Sequence, residues 1–227
     1  WQTNTGHPMH SGLYYKAIGI FHTQEDIDKY PHMENARPGD IIFEDVNGDK
    51  QINGEDMVRI HKSSVPTWTG GLNLYFKYKG LDLSALFQGQ AGAVRYVKPL
   101  GSATAEINYF KSFYDKRWTE DNPYASYPRT FDRDTEYWMS SSGSNTFWLR
   151  KTDFIRLKNL ELGYTLPAQA VSKIGLQNLR LSFTATNLFT FAPDMPDFDP
   201  ELDFDGGYAG EAYPIQKMLT LGVSIQF

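Results

Sequence analysis

The 227-residue sequence predicts an all-β fold, the antiparallel strands of a large transmembrane β-barrel with long loops on one side. Three observations predict it. The first is the stretch Trp68 to Gln88. One face of it reads Trp68, Gly70, Leu72, Leu74, Phe76, Tyr78, and the other Thr69, Gly71, Asn73, Tyr75, Lys77, Lys79. After Lys79-Gly80, Leu81, Leu83, Ala85 and Phe87 oppose Asp82, Ser84, Leu86 and Gln88. Alternation at period two around a short Gly-containing link is an antiparallel hairpin. Its apolar face carries Trp at one end, aliphatics in the middle and Tyr at the other, which is how a strand crosses a bilayer between aromatic girdles. A soluble sandwich strand also alternates, so the hairpin alone does not separate the two.

The second observation is that further strands follow the same pattern. In Asp153 to Thr165, Ile155 and Leu157 lie on one parity and Leu160, Leu162 and Tyr164 on the other. A β-bulge near Lys158-Asn159 would keep all five on one face. In Leu179 to Phe189, Leu179, Leu181, Phe183 and Ala185 oppose Arg180, Ser182, Thr184 and Thr186. The last strand sets Leu219, Leu221, Val223, Ile225 and Phe227 against Thr220, Gly222, Ser224 and Gln226.

The third observation is the sorting of connections. Short links fall at Lys79-Gly80 and, with a small helix, at Leu166 to Asn178; long ones fall at 92–152, 191–216 and 21–67. Antiparallel order puts all short links on one side and all long ones on the other. Outer-membrane barrels show this asymmetry, and a sandwich has no reason to. The long loops are then extracellular, and Phe227 lies on the periplasmic side.

Taken in order, Trp1 to Ser11 is polar and Leu13 to Phe21 reads as a strand. Thr23, with Asp26 three residues on, opens a helix that Pro31 ends. Arg37-Pro38-Gly39-Asp40 is a turn and Ile41 to Glu44 a brief strand. Asn108 to Arg117 reads as a helix with Tyr109, Phe110, Phe113 and Tyr114 on one side. Pro167 to Lys173 reads as one or two helical turns stopped before Gly175. The acidic run in 191–216 reads as a solvated loop, with cation or sugar-hydroxyl binding as the alternative.

The sharpest local motif is DVNGDKQINGED at 45–56. Asp45, Asn47, Asp49, Asn53 and Asp56 stand at positions 1, 3, 5, 9 and 12 of an EF-hand- or dockerin-like calcium loop. Gln51 stands where a backbone carbonyl serves, and Ile52 is the apolar anchor. A hard cation needs about six to eight oxygens, and this spacing wraps them around one centre. Position 6, normally Gly, is Lys50, and position 12 is Asp where Glu is usual. A structural calcium ion is one reading; an Asn/Asp/Gly-rich turn satisfied by water is the other.

Bulk properties exclude several classes. Mean hydropathy is -0.48, with no apolar run long enough for a transmembrane helix. A barrel remains allowed, because half of every strand is polar. Net charge is -5 with the signs interspersed, which argues against nucleic acid as a partner. There is no Cys, hence no disulfide or thiol chemistry. His7, His10, His22, His32 and His61 fall in no metal or triad spacing, and no carboxylate pair, phosphate loop or nucleophile motif stands out, so no catalytic residue is assigned. The chain begins at Trp1 without a leader, as expected of a processed exported protein or of the interior of a longer one.

Several stretches together resemble the SusC/RagA-type TonB-dependent outer-membrane transporters of Bacteroidetes. They are GIFHTQEDID (19–28), GDIIFEDVNGDKQINGED (39–56), GGLNLYFKYKGLDLSALFQGQAG (70–92), RWTEDNPYASYPR (117–129), DFIRLKNLELGYTLP (153–167), LRLSFTATNLFTF (179–191) and LTLGVSIQF (219–227). The resemblance implies that 1–227 is the C-terminal segment of a large barrel. It implies a SusD-like surface lipoprotein as lid, energy from TonB, and oligosaccharides or peptides as substrate. The terminal Phe resembles the signal read by barrel-assembly machinery. No plug domain or TonB box is found here, and five or six strands fall short of the about 22 of such a barrel. The expected partners therefore include the rest of the barrel and its plug, as well as outer-membrane lipid.

On this reading Asn73, Lys77, Asp82, Ser84, Thr184 and Thr186 face a wet lumen. Trp118, Tyr124, Trp138 and Trp148 stack on sugars or pack against the lid, their bland alternative being loop self-packing. The competing class is a soluble, calcium-stabilised β-rich carbohydrate-binding module.

Overall fold

The computed structural model describes residues 5–97, 110–130, 144–202 and 213–227. Along the chain its elements are β1 (Leu13–Tyr15), β2 (Ala17–Ile20), α1 (Gln24–Lys29), β3 (Ile41–Phe43), β4 (Met57–Arg59), β5 (Trp68–Tyr78), β6 (Leu81–Ala91), β7 (Val94–Tyr96), α2 (Lys111–Lys116), β8 (Leu149–Lys151), β9 (Phe154–Thr165), α3 (Ala168–Val171), β10 (Asn178–Phe191) and β11 (Met218–Gln226). They sort into two compact units.

The sheet unit comprises Pro66–Ala93, Lys151–Leu202 and Pro214–Phe227. It is a five-stranded antiparallel sheet in the order β11-β10-β9-β6-β5. The hairpin pairs from Trp68 opposite Ala91 to Tyr78 opposite Leu81, leaving two residues for the turn. Lys79 and Gly80 have φ of 45° and 85°. Two left-handed residues make a type I′ turn, whose twist matches that of the strands. Gly takes this conformation freely, whereas Lys79 does so at about 1–2 kcal/mol.

The bulge lies where the sequence places it. Leu86 pairs with Asn159 and Phe87 with Leu157, so Lys158 is the extra residue. Ile155, Leu157, Leu160, Leu162 and Tyr164 then share one face, opposite Gly89, Phe87, Ala85, Leu83 and Leu81. A second irregularity follows on β10 between Thr186 and Phe189, where Asn187 has φ 52°. The β9–β10 link is α3, a 3₁₀ turn at Ser172–Ile174, and Gly175 at φ 76°. The barrel is not closed in this chain, since β5 and β11 are the edges of the sheet.

The other unit gathers the described residues of Trp1–Val65 and Val94–Arg150. Its strands form short ladders, β1 with β4, β2 with β3 and β7 with β8. Leu13 to Phe21, expected as one strand, is two. β1 delivers Tyr15 to a cluster with Ile41, Phe43, Ile52, Phe113 and Trp148, while Phe21 after β2 packs with Ile27 and Ile42. A single straight strand cannot serve both cores, and the chain changes partner at Lys16.

The helix expected after Thr23 is α1, capped on both sides. The Thr23 hydroxyl accepts from Asp26 N–H, and the Asp26 carboxylate accepts from Thr23 N–H at 3.0 Å. α2 lies inside the expected 108–117 helix, with Phe113 buried and Tyr114 half exposed; Tyr109 is outside the described residues. The stretches read as loops, 21–67 and 92–152, therefore include a packed aromatic core of their own.

Candidate functional site

The sheet has two chemically distinct faces. The apolar face is built of rows across the strands. Tyr78, Leu81, Tyr164 and Leu181 form the row nearest the Lys79-Gly80 turn. Leu74, Ala85, Leu160, Ala185 and Leu219 cross the middle. Leu72, Phe87, Leu157 and Phe189 lie towards the other end, with Trp68 beyond them. Much of this face is open: Leu221 is 83% exposed, Val223 64%, Leu72 56% and Phe76 54%. Soluble monomers rarely display so large a continuous apolar surface. An 11-residue strand such as β5, at about 3.3 Å per residue and about 40° tilt, rises roughly 28 Å, which matches the hydrocarbon core of a bilayer.

The opposite face is polar and ion-paired. Asp82 on β6 and Arg180 on β10 are two strands apart, with Gly163 of β9 between them. Arg180 lies across Gly163, where an added Cβ would collide with its guanidinium. It bonds both Asp82 oxygens, Nη2 reaching Oδ2 at 2.9 Å, and donates to Glu161 at 2.8 Å. The absent side chain at 163 thus makes a three-strand ion pair possible. Of the residues expected on this face, Asn73, Lys77, Asp82, Ser84, Thr184 and Thr186 all share its parity.

A second network pins the segment 192–202. Arg156 on β9 is 1% exposed. Its Nη2 meets Asp199 Oδ1 at 2.6 Å and its Nη1 meets Glu201 Oε2 at 2.6 Å. Lys158 Nζ donates to both Glu201 oxygens, at 3.0 and 2.9 Å. Turn bonds Met195 N–H to Ala192 and Leu202 N–H to Asp199 compact the segment. A cleft of about 320 Å³ lies beside Arg156, lined by Thr190, Met195, Asp197, Phe198 and Pro200 among others. The acidic run was expected to be a solvated loop; Asp199 and Glu201 are instead ion-paired. Their partners lie 43 residues earlier, beyond the reach of any local pattern. The available signal was a strand Arg on the polar parity of β9.

In the 45–56 loop the expected ligands gather, but on the loop's own backbone. Asp45 accepts from Gly48 N–H at 2.7 Å and Lys50 N–H at 2.8 Å. Asn47 accepts from Asp49 N–H, Asp49 from Gln51 N–H and Asn53 from Glu55 N–H. Asp56, fully buried, accepts from Val46 and Asn53 N–H. Gly48 and Lys50 have φ of 79° and 67°, so Lys50 takes the left-handed conformation that Gly normally supplies at position 6. Ile52 is buried in the aromatic core as an anchor. The donors are of the hard-oxygen type calcium prefers. Among the described residues, however, no three acidic or imidazole groups converge on one point.

Two of the aromatic candidates are packing residues. Trp148 is 1% exposed in the core. Trp118 lies against Gly39 and donates its indole N–H to His22 O at 3.2 Å. Tyr124 is 79% exposed, its ring 5.2 Å from that of His22. Trp138 lies outside the described residues.

No family model matches the chain. It is 28% identical over 231 residues to TonB-dependent receptor P26 of Formosa agariphila, covering 97% of this chain and 22% of that protein. TonB-dependent receptor P3 of the same organism is 29% identical over 206 residues, 85% of this chain and 19% of that protein. The chain spans about a fifth of the length of these curated relatives. Among solved structures, the RagAB peptide transporter superposes with a TM-score of 0.63 at 24% identity, over 96% of this chain and 23% of that one. The RagAB peptide importer in its "open-open" state gives 0.60 at 25% identity, over 96% and 22%. Over most of its length the chain therefore matches part of a SusC/RagA-type transporter, and its relatives are receptors and importers rather than enzymes.

Proposed function

We propose that this chain is one wall of a TonB-dependent outer-membrane importer, its apolar face against lipid and its polar face towards the lumen and plug. The observation that carries this is the open apolar face of a sheet whose strands have membrane-spanning length. A soluble carbohydrate-binding module would expose that face to water. The function is binding and passage, with no bond made or broken. The cargo class is oligosaccharide or peptide, the likeness to a peptide importer favouring peptide. The long connections are extracellular, the Lys79-Gly80 turn and Phe227 periplasmic, and a SusD-like lipoprotein is the surface partner; TonB and the plug act through the rest of the protein. Arg156, Lys158, Asp199 and Glu201 hold the 192–202 segment against the inner wall, where it narrows the path and helps shape it. Purification tests the proposal. The whole protein is expected in the outer-membrane fraction and to need detergent to stay dispersed; a monodisperse soluble monomer without detergent would overturn it.

The proposal extends to a structural calcium ion held by Asp45, Asn47, Asp49, Asn53 and Asp56, with Gln51 contributing its carbonyl. Its support is the order of the oxygen donors and the left-handed backbone at Lys50. Binding would exchange backbone N–H partners of these oxygens for the cation.

A further inference from the structure

The apolar face is not uniformly filled. In the row towards the long connections, Gly70 on β5 pairs with Gly89 on β6, and Gly89 with Ile155 on β9. Two neighbouring strands therefore carry no side chain on that face at one level, leaving a notch two strands wide, about 9–10 Å. Its floor is backbone. The Trp68 indole leans over the Gly70 side, 2.9 Å from where a Cβ there would stand, and leaves the Gly89 side open. Leu72 and Phe87 close one end, and Ile155 stands at the side. The groove has a volume of about 540 Å³. The polar atoms beneath it are paired on both sides along β6, and on the β6 side along the edge strand β5, so the floor between the two strands offers an occupant apolar contact. Trp68 itself is 62% exposed.

We propose that this groove seats an acyl chain of an outer-leaflet lipid, with Trp68 over it at the headgroup level. Placement in the outer leaflet rests on the membrane reading above, which puts the long-connection end of β5 outermost. Three features favour a hydrocarbon chain. The groove is continuous with the surface assigned to lipid, its walls are apolar, and an amphipathic indole stands at the end where a headgroup would lie. A flat apolar stave would shed lipid freely, whereas a notch between Trp68, Leu72, Phe87 and Ile155 surrounds a chain on several sides and holds it in place.

Native mass spectrometry of the whole protein, released from the membrane in mild detergent, tests this. The probe is a two-chain phospholipid added at a fixed ratio. Wild type is expected to retain one more lipid than Gly70→Leu, which fills the floor, and than Trp68→Ala, which removes the cover. Leu221→Ala, on the same face four strands away, should retain lipid as wild type does. A Cβ at Gly70 meets only the movable Trp68 indole, and Trp68→Ala serves where Gly70→Leu does not fold. Equal retention in wild type and both groove variants would overturn the proposal, as would a protein chain held there in place of lipid. A protein that never enters the membrane would instead overturn the function proposed above.

Discussion

Arg156→Met removes the cation that holds the 192–202 segment. In the native fold Arg156 is 1% exposed and faces two carboxylates at 2.6 Å, Asp199 being 11% and Glu201 18% exposed at the side chain. Taking one partner from a buried ion pair typically costs about 3–5 kcal/mol, because the remaining charge stays desolvated. Lys158 remains at 2.9 Å from Glu201 and compensates part of that charge, so the lower end applies, about 3 kcal/mol, or roughly a hundredfold in an opening equilibrium. The loss is local, because the strand ladders of β9 and β10 do not run through Arg156's side chain. Hydrogen–deuterium exchange of the membrane-embedded protein is the assay. Amides bonded within the turns, Met195 and Leu202, should exchange roughly a hundred times faster in the variant, while Leu160 and Leu162 in β9 keep their protection. Adding Asp199→Asn and Glu201→Gln removes the stranded charges and should recover part of the protection. Unchanged exchange at Met195 and Leu202 would refute the ion-pair account, and loss of protection throughout β9 would show that Arg156 supports the sheet itself.

Gly163→Val should displace Arg180 from Asp82; in a chain that still folds, its measured stability should then match that of Arg180→Met to within about 0.5 kcal/mol, and independent, additive effects would contradict the shared site. Calorimetry with calcium should give heat for wild type and none for Asp45→Ala/Asp49→Ala; identical traces would remove the calcium proposal. His7 is held below the usual imidazole value, by desolvation first and then by the nearby Arg59 and His61. Its contact with His61, Nδ1 to Nδ1 at 3.3 Å, contributes stability above the unfolded value of about 6.5, and this is lost as pH falls from there towards the folded value. The His7 ring resonance should titrate below that of an exposed His in the same spectrum, and an equal or higher midpoint would contradict the contact.

The sheet was legible because its information is local. Period-two alternation from Trp68 to Gln88, the Lys79-Gly80 turn and the slip of phase at Lys158 each lie within a single strand or hairpin, and the ladders reproduce them. The Thr23–Asp26 cap and the Gly175 stop are equally local and equally accurate. What was not legible is what depends on distant partners. Arg156 and Asp199 are 43 residues apart, Asp82 and Arg180 98, and Asp40 and Arg129 89. For Trp118 and Trp148 the sequence leaves loop packing and sugar stacking both open; they are packing residues because Gly39 and Phe113 come to them from elsewhere in the chain. The two strands within 13–21 escaped notice for the same reason, since their break follows from two clusters formed by later residues. The 45–56 loop shows the converse. Its spacing is plain, yet the same oxygens satisfy backbone N–H groups without a cation, so spacing by itself does not distinguish the two states.

The central claim is that one face of this sheet meets lipid and the other meets water. This chain contains no Cys, so single cysteines placed in it, with any Cys elsewhere in the protein replaced, can report on each face in turn. Spin labels at Leu221→Cys and Thr220→Cys, and at Leu181→Cys and Ser182→Cys, in the whole protein reconstituted in bilayers, give relaxation by lipid-soluble oxygen and by a water-soluble nickel chelate. Oxygen is expected to dominate at 181 and 221, and nickel at 182 and 220. Equal access of the nickel chelate at all four positions would contradict the claim.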